Sequence, residues 1–123
     1  TGGLRYKEEI ANGKASECLK DLGNLDKGDG ILFKGRGAIQ LTGRTNYDKY
    51  GRFIGVDLLA NPKLVAENYY VDVAGWFWNS KGLNSYADKD DVMIITRRIN
   101  GGINGLEDRK LWLSKLKKVY GVK

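Results

Sequence analysis

Residues 33–47, Phe-Lys-Gly-Arg-Gly-Ala-Ile-Gln-Leu-Thr-Gly-Arg-Thr-Asn-Tyr, constrain this chain more than any other stretch. Three glycines let the backbone bend closely around Arg36. Gln40, Thr42 and Asn46 then present neutral hydrogen-bonding side chains among small or apolar residues. Such a surface suits hydroxyls and amides, because a neutral amide reads them without the desolvation cost of a charge. Sugars carry many of both groups.

Strand signals are nearly absent around this segment, and the pattern predicts a mainly α domain with one long Gly-rich loop and at most a short hairpin near Ile31 to Phe33. Residues 4–10 suit the end of a helix. A second short helix is expected from Lys14 to Leu22, closed by Gly23-Asn24. Five glycines between residues 23 and 38, with Asn24, Asp26 and Asp29, mark the loop. Thr45 and Asp48 give a weak capping signal for a helix bearing Tyr47, Tyr50, Phe53 and Ile54. Asn61-Pro62 opens the next helical stretch, where Trp76, Phe77 and Trp78 read as core. A helix with an apolar Val92-Met93-Ile94-Ile95 runs to Ile99, ended by Asn100-Gly-Gly. The last, from about Leu106 to Tyr120, has a stripe of Leu106, Leu113, Leu116 and Tyr120.

Composition removes several chemistries. With no histidine, an imidazole base and a histidine metal site are excluded for these 123 residues. Cys18 is alone, so no intrachain disulfide forms, and it reads as a small buried or half-buried filler. No apolar run approaches the roughly 20 residues of a membrane span, and the first stretch does not look like a signal peptide. The formal charge of +6 favours anionic partners, among them nucleic acid, acidic lipid and bacterial envelope polymers. Lys115, Lys117 and Lys118 read as a solvated face. Nothing resembles a nucleic-acid recognition helix or an aromatic-basic platform. Any chemistry must therefore fall to carboxylates.

Cleaving a glycosidic bond needs a carboxylic acid for the leaving oxygen and a second carboxylate as base or nucleophile. Glu8 and Glu9 are adjacent and are not themselves that pair across a substrate. The composition-only alternative is a polar face made of Lys7, Glu8 and Glu9.

Thr1-Gly-Gly-Leu-Arg-Tyr-Lys-Glu-Glu9, the Gly35–Asn46 segment and Arg97-Arg-Ile-Asn-Gly-Gly102 occur in the order seen in glycoside hydrolase family 19, which the whole chain resembles. The resemblance is to its phage endolysin and bacterial chitinase branch, supported also by residues 20–24 and 28–30. Ser16 and Cys18-Leu19 depart from it, standing where relatives often carry an aromatic and an arginine. The family fold is lysozyme-like and helical.

By this resemblance Glu9 is the general base, with Tyr6 in the usual aromatic position and Glu8 the fallback if the register slips by one. The acid would sit immediately before Thr1. One family 19 catalytic-type domain, residues 1–123, is expected, cut just after that position from a longer protein. Thr42 would hold the attacking water with Glu9, while Gln40 and Asn46 hold the sugar's N-acetyl and hydroxyl groups. Tyr47 could stack on a sugar face or pack in the core. Asn100 would contact substrate. Arg98 and Arg109 would orient the carboxylates, or serve as a helix cap and a surface pair with Glu107 or Asp108.

The expected activity is inverting, endo-acting hydrolysis of β-1,4 bonds in N-acetylglucosamine-containing glycan. Peptidoglycan is favoured over chitin, and no cofactor or metal is implied. A monomer is expected, active on the cell wall after release from a host cytoplasm. The rival is a scaffold that binds glycan without cutting it.

Overall fold

A computed structural model of the chain describes residues 7–123. Among them are seven α-helices, named α1 (Asp29–Leu32), α2 (Arg44–Ile54), α3 (Leu64–Glu67), α4 (Asp72–Ser80), α5 (Asn84–Ala87), α6 (Val92–Asn100) and α7 (Leu106–Tyr120). Two 3-10 turns, Lys14–Ser16 and Lys20–Leu22, precede them. Extended pairing among the described residues is confined to isolated antiparallel bridges of Arg36 with Glu8 and with Leu41. The mainly α architecture is thus the one its sequence predicts. The chain gathers into two compact units, Thr1–Phe77 and Trp78–Lys123.

The core of the first unit is built from Phe33, Leu41, Tyr47, Tyr50, Leu58, Val65 and Val73. Helix α2 turns Tyr47 and Tyr50 inward, as their three-residue spacing dictates. Phe33 meets Tyr47 edge-on at 5.4 Å, and Trp76 tilts over Tyr50 at 5.1 Å. Trp76 and Phe77 pack against this cluster, as expected. Phe53, at the edge of the same helical pattern, stays 69% exposed.

Helix α2 is not capped by Thr45. Its N-cap is Gly43, and the amide of Arg44 is taken by the side-chain oxygen of Asn24 at 2.9 Å. Asn24 is fully buried and donates its amide nitrogen to the Ser16 carbonyl at 2.9 Å. One side chain thus satisfies a helix-end donor and ties the helix to the preceding loop.

Three local expectations fail for identifiable reasons. Residues 7–10 are not helical, because Glu8 is drawn into its bridge with Arg36. The single helix from Lys14 to Leu22 is replaced by two 3-10 turns, with Cys18 between them at φ 56°, a left-handed conformation incompatible with continuous helix. Cys18 is exposed, not a filler. The hairpin near Ile31 to Phe33 is instead α1, whose first residue, Asp29, is gripped by Arg44 through Nε–Oδ2 at 3.1 Å and Nη2–Oδ1 at 2.7 Å.

In the second unit Leu83, Thr96 and Leu106 are buried. Asp91 caps α6 by accepting the Ile94 amide at 3.1 Å, and Gly101 closes it at φ 75°. Within the expected apolar run Met93 points outward, 43% exposed. Lys117 reaches Asp90 at 2.7 Å, which fixes α7 to the turn before α6, so this lysine is paired, not merely solvated.

Candidate active site

The segment carrying the two glutamates lies alongside the glycine loop as a short extended pair. The Glu9 amide donates to the Gly35 carbonyl at 2.8 Å, and the Gly37 amide donates to the Lys7 carbonyl at 3.0 Å. Extended backbone sends neighbouring side chains to opposite sides. Glu8 and Glu9 therefore acquire different surroundings from adjacent positions.

Glu8 is held by cations. Its Oε1 accepts from Arg36 Nε at 3.1 Å, and its Oε2 pairs with Lys34 Nζ at 3.0 Å. The lysine hydrogen bond, opposed by desolvation and aided by Arg36, keeps this carboxyl below the ordinary glutamate range. A group so held is ionised at neutral pH and is poorly suited to donate a proton. Arg36 is 4% exposed and has further partners, its Nη1 donating to the Leu32 carbonyl at 2.6 Å and to the Tyr47 hydroxyl at 3.0 Å. The Tyr47 hydroxyl in turn donates to the Lys34 carbonyl.

Tyr47 consequently belongs to the interior. With no exposed surface it cannot stack on a sugar, and of its two expected roles only packing survives. Burial also pushes its hydroxyl up to about 12.

Glu9 is held by backbone instead. Its Oε2 accepts the Gly35 amide at 2.9 Å and its Oε1 the Gly13 amide at 3.1 Å. Two amides fix the orientation of a carboxylate that stays partly exposed, and each oxygen has a second lone pair for another donor, such as water. The same Gly35 explains why the loop needs glycine there. A β-carbon at that position would lie 2.9 Å from Gln40 Oε1 and 3.3 Å from Thr42 Oγ1. Glu9, Gln40 and Thr42 thus converge on one residue with no side chain.

The neutral side chains are set by local bonds. Gln40, at φ 59°, donates its Nε2 to the Gly37 carbonyl at 3.0 Å. Thr42 Oγ1 donates to the Gln40 carbonyl at 3.0 Å, and Asn46 Nδ2 donates to the Thr42 carbonyl at 2.9 Å. All three remain partly exposed.

Beside Gly13 opens a cavity of about 710 Å³, lined among others by Lys14, Glu17, Cys18, Lys27 and Ile31. Glu17 shapes its wall by accepting the Gly28 amide at 2.6 Å and the Gly30 amide at 2.9 Å. Gly13, whose amide donates to Glu9, is among the lining residues of this space, which is of the size that small ligands occupy.

The remaining predicted residues fall elsewhere. Asn100, Arg98 and Arg109 are in the second unit, where they form two small groupings. Asn100 Nδ2 donates to the Asn104 carbonyl at 2.7 Å, and Arg109 donates to that carbonyl at 3.2 Å and to Asn100 Oδ1 at 3.3 Å. Arg98 lies 4.8 Å from the Tyr86 ring centre and donates to its hydroxyl at 2.8 Å. Tyr6 lies outside the described residues. No group of three or more candidate metal ligands occurs among those described.

Sequence reasoning did not assign the Arg36 and Lys34 grip on Glu8, nor the part of Gly13 and Glu17 in shaping the cavity. Arg36 between two glycines was the visible signal of the first.

The helical domain joins a partly exposed, amide-held glutamate to an amide- and hydroxyl-rich glycine loop, and the chain belongs to glycosyl hydrolase family 19: residues 1–101 match the family model described as chitinase class I. A glycosyl hydrolase family 19 domain-containing protein of Haemophilus influenzae is 42% identical over 92 residues, covering 72% of this chain and 44% of that protein. An Arabidopsis thaliana endochitinase is 39% identical over 111 residues, covering 83% of this chain and 35% of its own length. The crystal structure of chitinase C from Streptomyces griseus HUT6037 superposes with a TM-score of 0.76 at 28% identity, over 100% of this chain and 55% of the other. The chain therefore spans less than half of these two curated relatives.

Proposed function

We propose that this chain carries the base half of a catalytic site that hydrolyses β-1,4 bonds in N-acetylglucosamine-containing glycan, with Glu9 as general base. The observation that carries this reading is the convergence of Glu9, Gln40 and Thr42 on Gly35. In an inverting reaction Glu9 takes a proton from water as that water attacks the anomeric carbon. The bond from that carbon to the bridging oxygen breaks, and the leaving oxygen takes a proton from an acid on the opposite face. By the resemblance, this acid is expected immediately before Thr1. Thr42 shares the water with Glu9, and Gln40 and Asn46 bind the sugar's amide and hydroxyls. Glu8 has a different task, keeping Arg36 and Lys34 neutralised beneath the site.

Peptidoglycan is the proposed substrate, with chitin the rival. The formal charge of +6 suits an anionic wall polymer, and Lys14 and Lys27 line the cavity that includes Gly13. The endochitinase relatives support the rival.

The test uses the chain extended upstream through the proposed acid, given peptidoglycan and chitin oligosaccharides in parallel. Fragments are identified by mass spectrometry and the first-formed anomer by proton NMR. Release of α-anomers, reduced roughly 10²–10⁴-fold by Glu9→Gln, supports the assignment. Undiminished release by Glu9→Gln, or β-anomeric product, overturns it. Faster release from chitin would replace the proposed substrate, and retained binding without release would favour a non-cutting scaffold.

A further inference from the structure

Helix α7 carries an apolar stripe that its own unit does not cover. Leu106 is buried and Arg109, Leu113 and Lys117 are half-buried, which defines the inward face. Trp112, Leu116 and Val119 follow one another at four and three residues, a spacing that puts them together on another side of the helix. They are 55%, 48% and 77% exposed, and Tyr120, four residues beyond Leu116, adjoins them at 76%. A soluble surface normally scatters its apolar residues singly. Here six of the fifteen large hydrophobics exposed among the described residues fall within 111–122.

Charge gathers at the same place. Beyond Asp108 the chain has Arg109, Lys110, Lys115, Lys117, Lys118 and Lys123 and no acidic residue. Lys117 is already paired with Asp90. Lys115 Nζ sits 4.9 Å from the Trp112 ring centre, at the border of the stripe. Lys118 falls on the same flank by helical phase.

We infer that α7 is a peripheral contact for anionic lipid membrane. The helix would lie in the plane of the surface, with Trp112, Leu116 and Val119 among the acyl chains and Lys115, Lys118 and Lys123 at the phosphates. A soluble polyanion could satisfy the lysines but would leave the stripe in water. A lipid surface takes both, and aromatic rings such as Trp112 and Tyr120 favour its interfacial depth. No described helix is long and apolar enough to cross a membrane, so this is attachment to a surface.

The 123-residue chain is sedimented with equimolar phosphatidylglycerol and phosphatidylcholine vesicles and with pure phosphatidylcholine vesicles, while tryptophan emission is followed. Binding to the anionic vesicles is expected, with a blue shift that disappears in Trp112→Phe. The pair Lys115→Gln and Lys118→Gln should weaken binding roughly twenty-five-fold, since each lysine at such a surface contributes about five-fold. The pair Leu116→Ser and Val119→Ser should abolish sedimentation while leaving thermal melting unchanged and, in the chain extended upstream through the proposed acid, glycan hydrolysis in solution unchanged. No binding to anionic vesicles, or undiminished binding by the serine pair with no blue shift in the parent chain, overturns the inference. Should the serine pair fail to fold, the lysine pair and the Trp112 shift decide it.

Discussion

Two polar networks in this chain are alike in chemistry and opposite in setting. Around Arg36 a guanidinium meets Glu8, a carbonyl and the Tyr47 hydroxyl, with the arginine and tyrosine sealed from water. Around Arg109 a guanidinium meets Asn100 and a carbonyl, all at exposed bonds. In the first, water cannot readily replace a bond lost to the buried arginine or tyrosine. In the second, water can replace whatever is lost. The hydrogen-bond count is thus a poor guide to what either network contributes, and burial decides it.

Arg36→Met should have the largest effect, a loss of about 2–4 kcal/mol in urea unfolding, because it takes a charge-assisted hydrogen bond from the Leu32 carbonyl and from the Tyr47 hydroxyl, which keeps only the Lys34 carbonyl, and leaves Glu8 with Lys34 alone. Gly37→Ala comes next. Its backbone is at φ 79° and a β-carbon would lie 2.7 Å from Val73 Cγ1 and 3.1 Å from the Tyr70 carbonyl, so a loss of roughly 1–3 kcal/mol is expected by calorimetry.

The Asp29–Arg44 pair adds a pH-dependent test. The hydrogen bond from Arg44, outweighing desolvation, holds the Asp29 carboxyl below its ordinary value of 3.8. Above that pH both folded and unfolded chains are ionised and the contribution is complete. As pH falls below it the unfolded chain takes up the proton first, so stability drops until the folded carboxyl also titrates. Asp29→Asn should flatten this part of the urea midpoint against pH. Asn100→Ala should be the mildest, within about 0.5 kcal/mol of the parent on unfolding, as for most exposed substitutions. A large loss there, or a small one for Arg36→Met, would break the contrast between the two networks.

What was legible in the sequence follows the same division between local and distant causes. The extent of α7, and α2 with its inward Tyr47 and Tyr50, follow from the spacing of neighbouring residues, but the expected α7 stripe does not hold together, since Leu106 is buried while Leu116 and Tyr120 are exposed. The glycine loop and its neutral side chains were legible because each is positioned by bonds within a few residues. The Lys14–Leu22 stretch was misread because Glu17 is committed to amides at Gly28 and Gly30, and the turn at Asp29 because Arg44 lies fifteen residues on. Tyr47 was ambiguous because only the fold sets the depth of its hydroxyl. The different surroundings of Glu8 and Glu9 come from pairing with residues 34–36, which spacing along the chain does not reveal.

The pairing of Glu9 with Gly35 also sets an order of events during synthesis. A chain leaves the ribosome N-terminus first, so the glutamate emerges well before the amide that orients it and the arginine that braces its neighbour. Glu8 and Glu9 gain their partners only once the glycine loop and Tyr47 have followed them out. The Glu9 carboxylate of the nascent chain is therefore unoriented until a later part of the polypeptide has emerged.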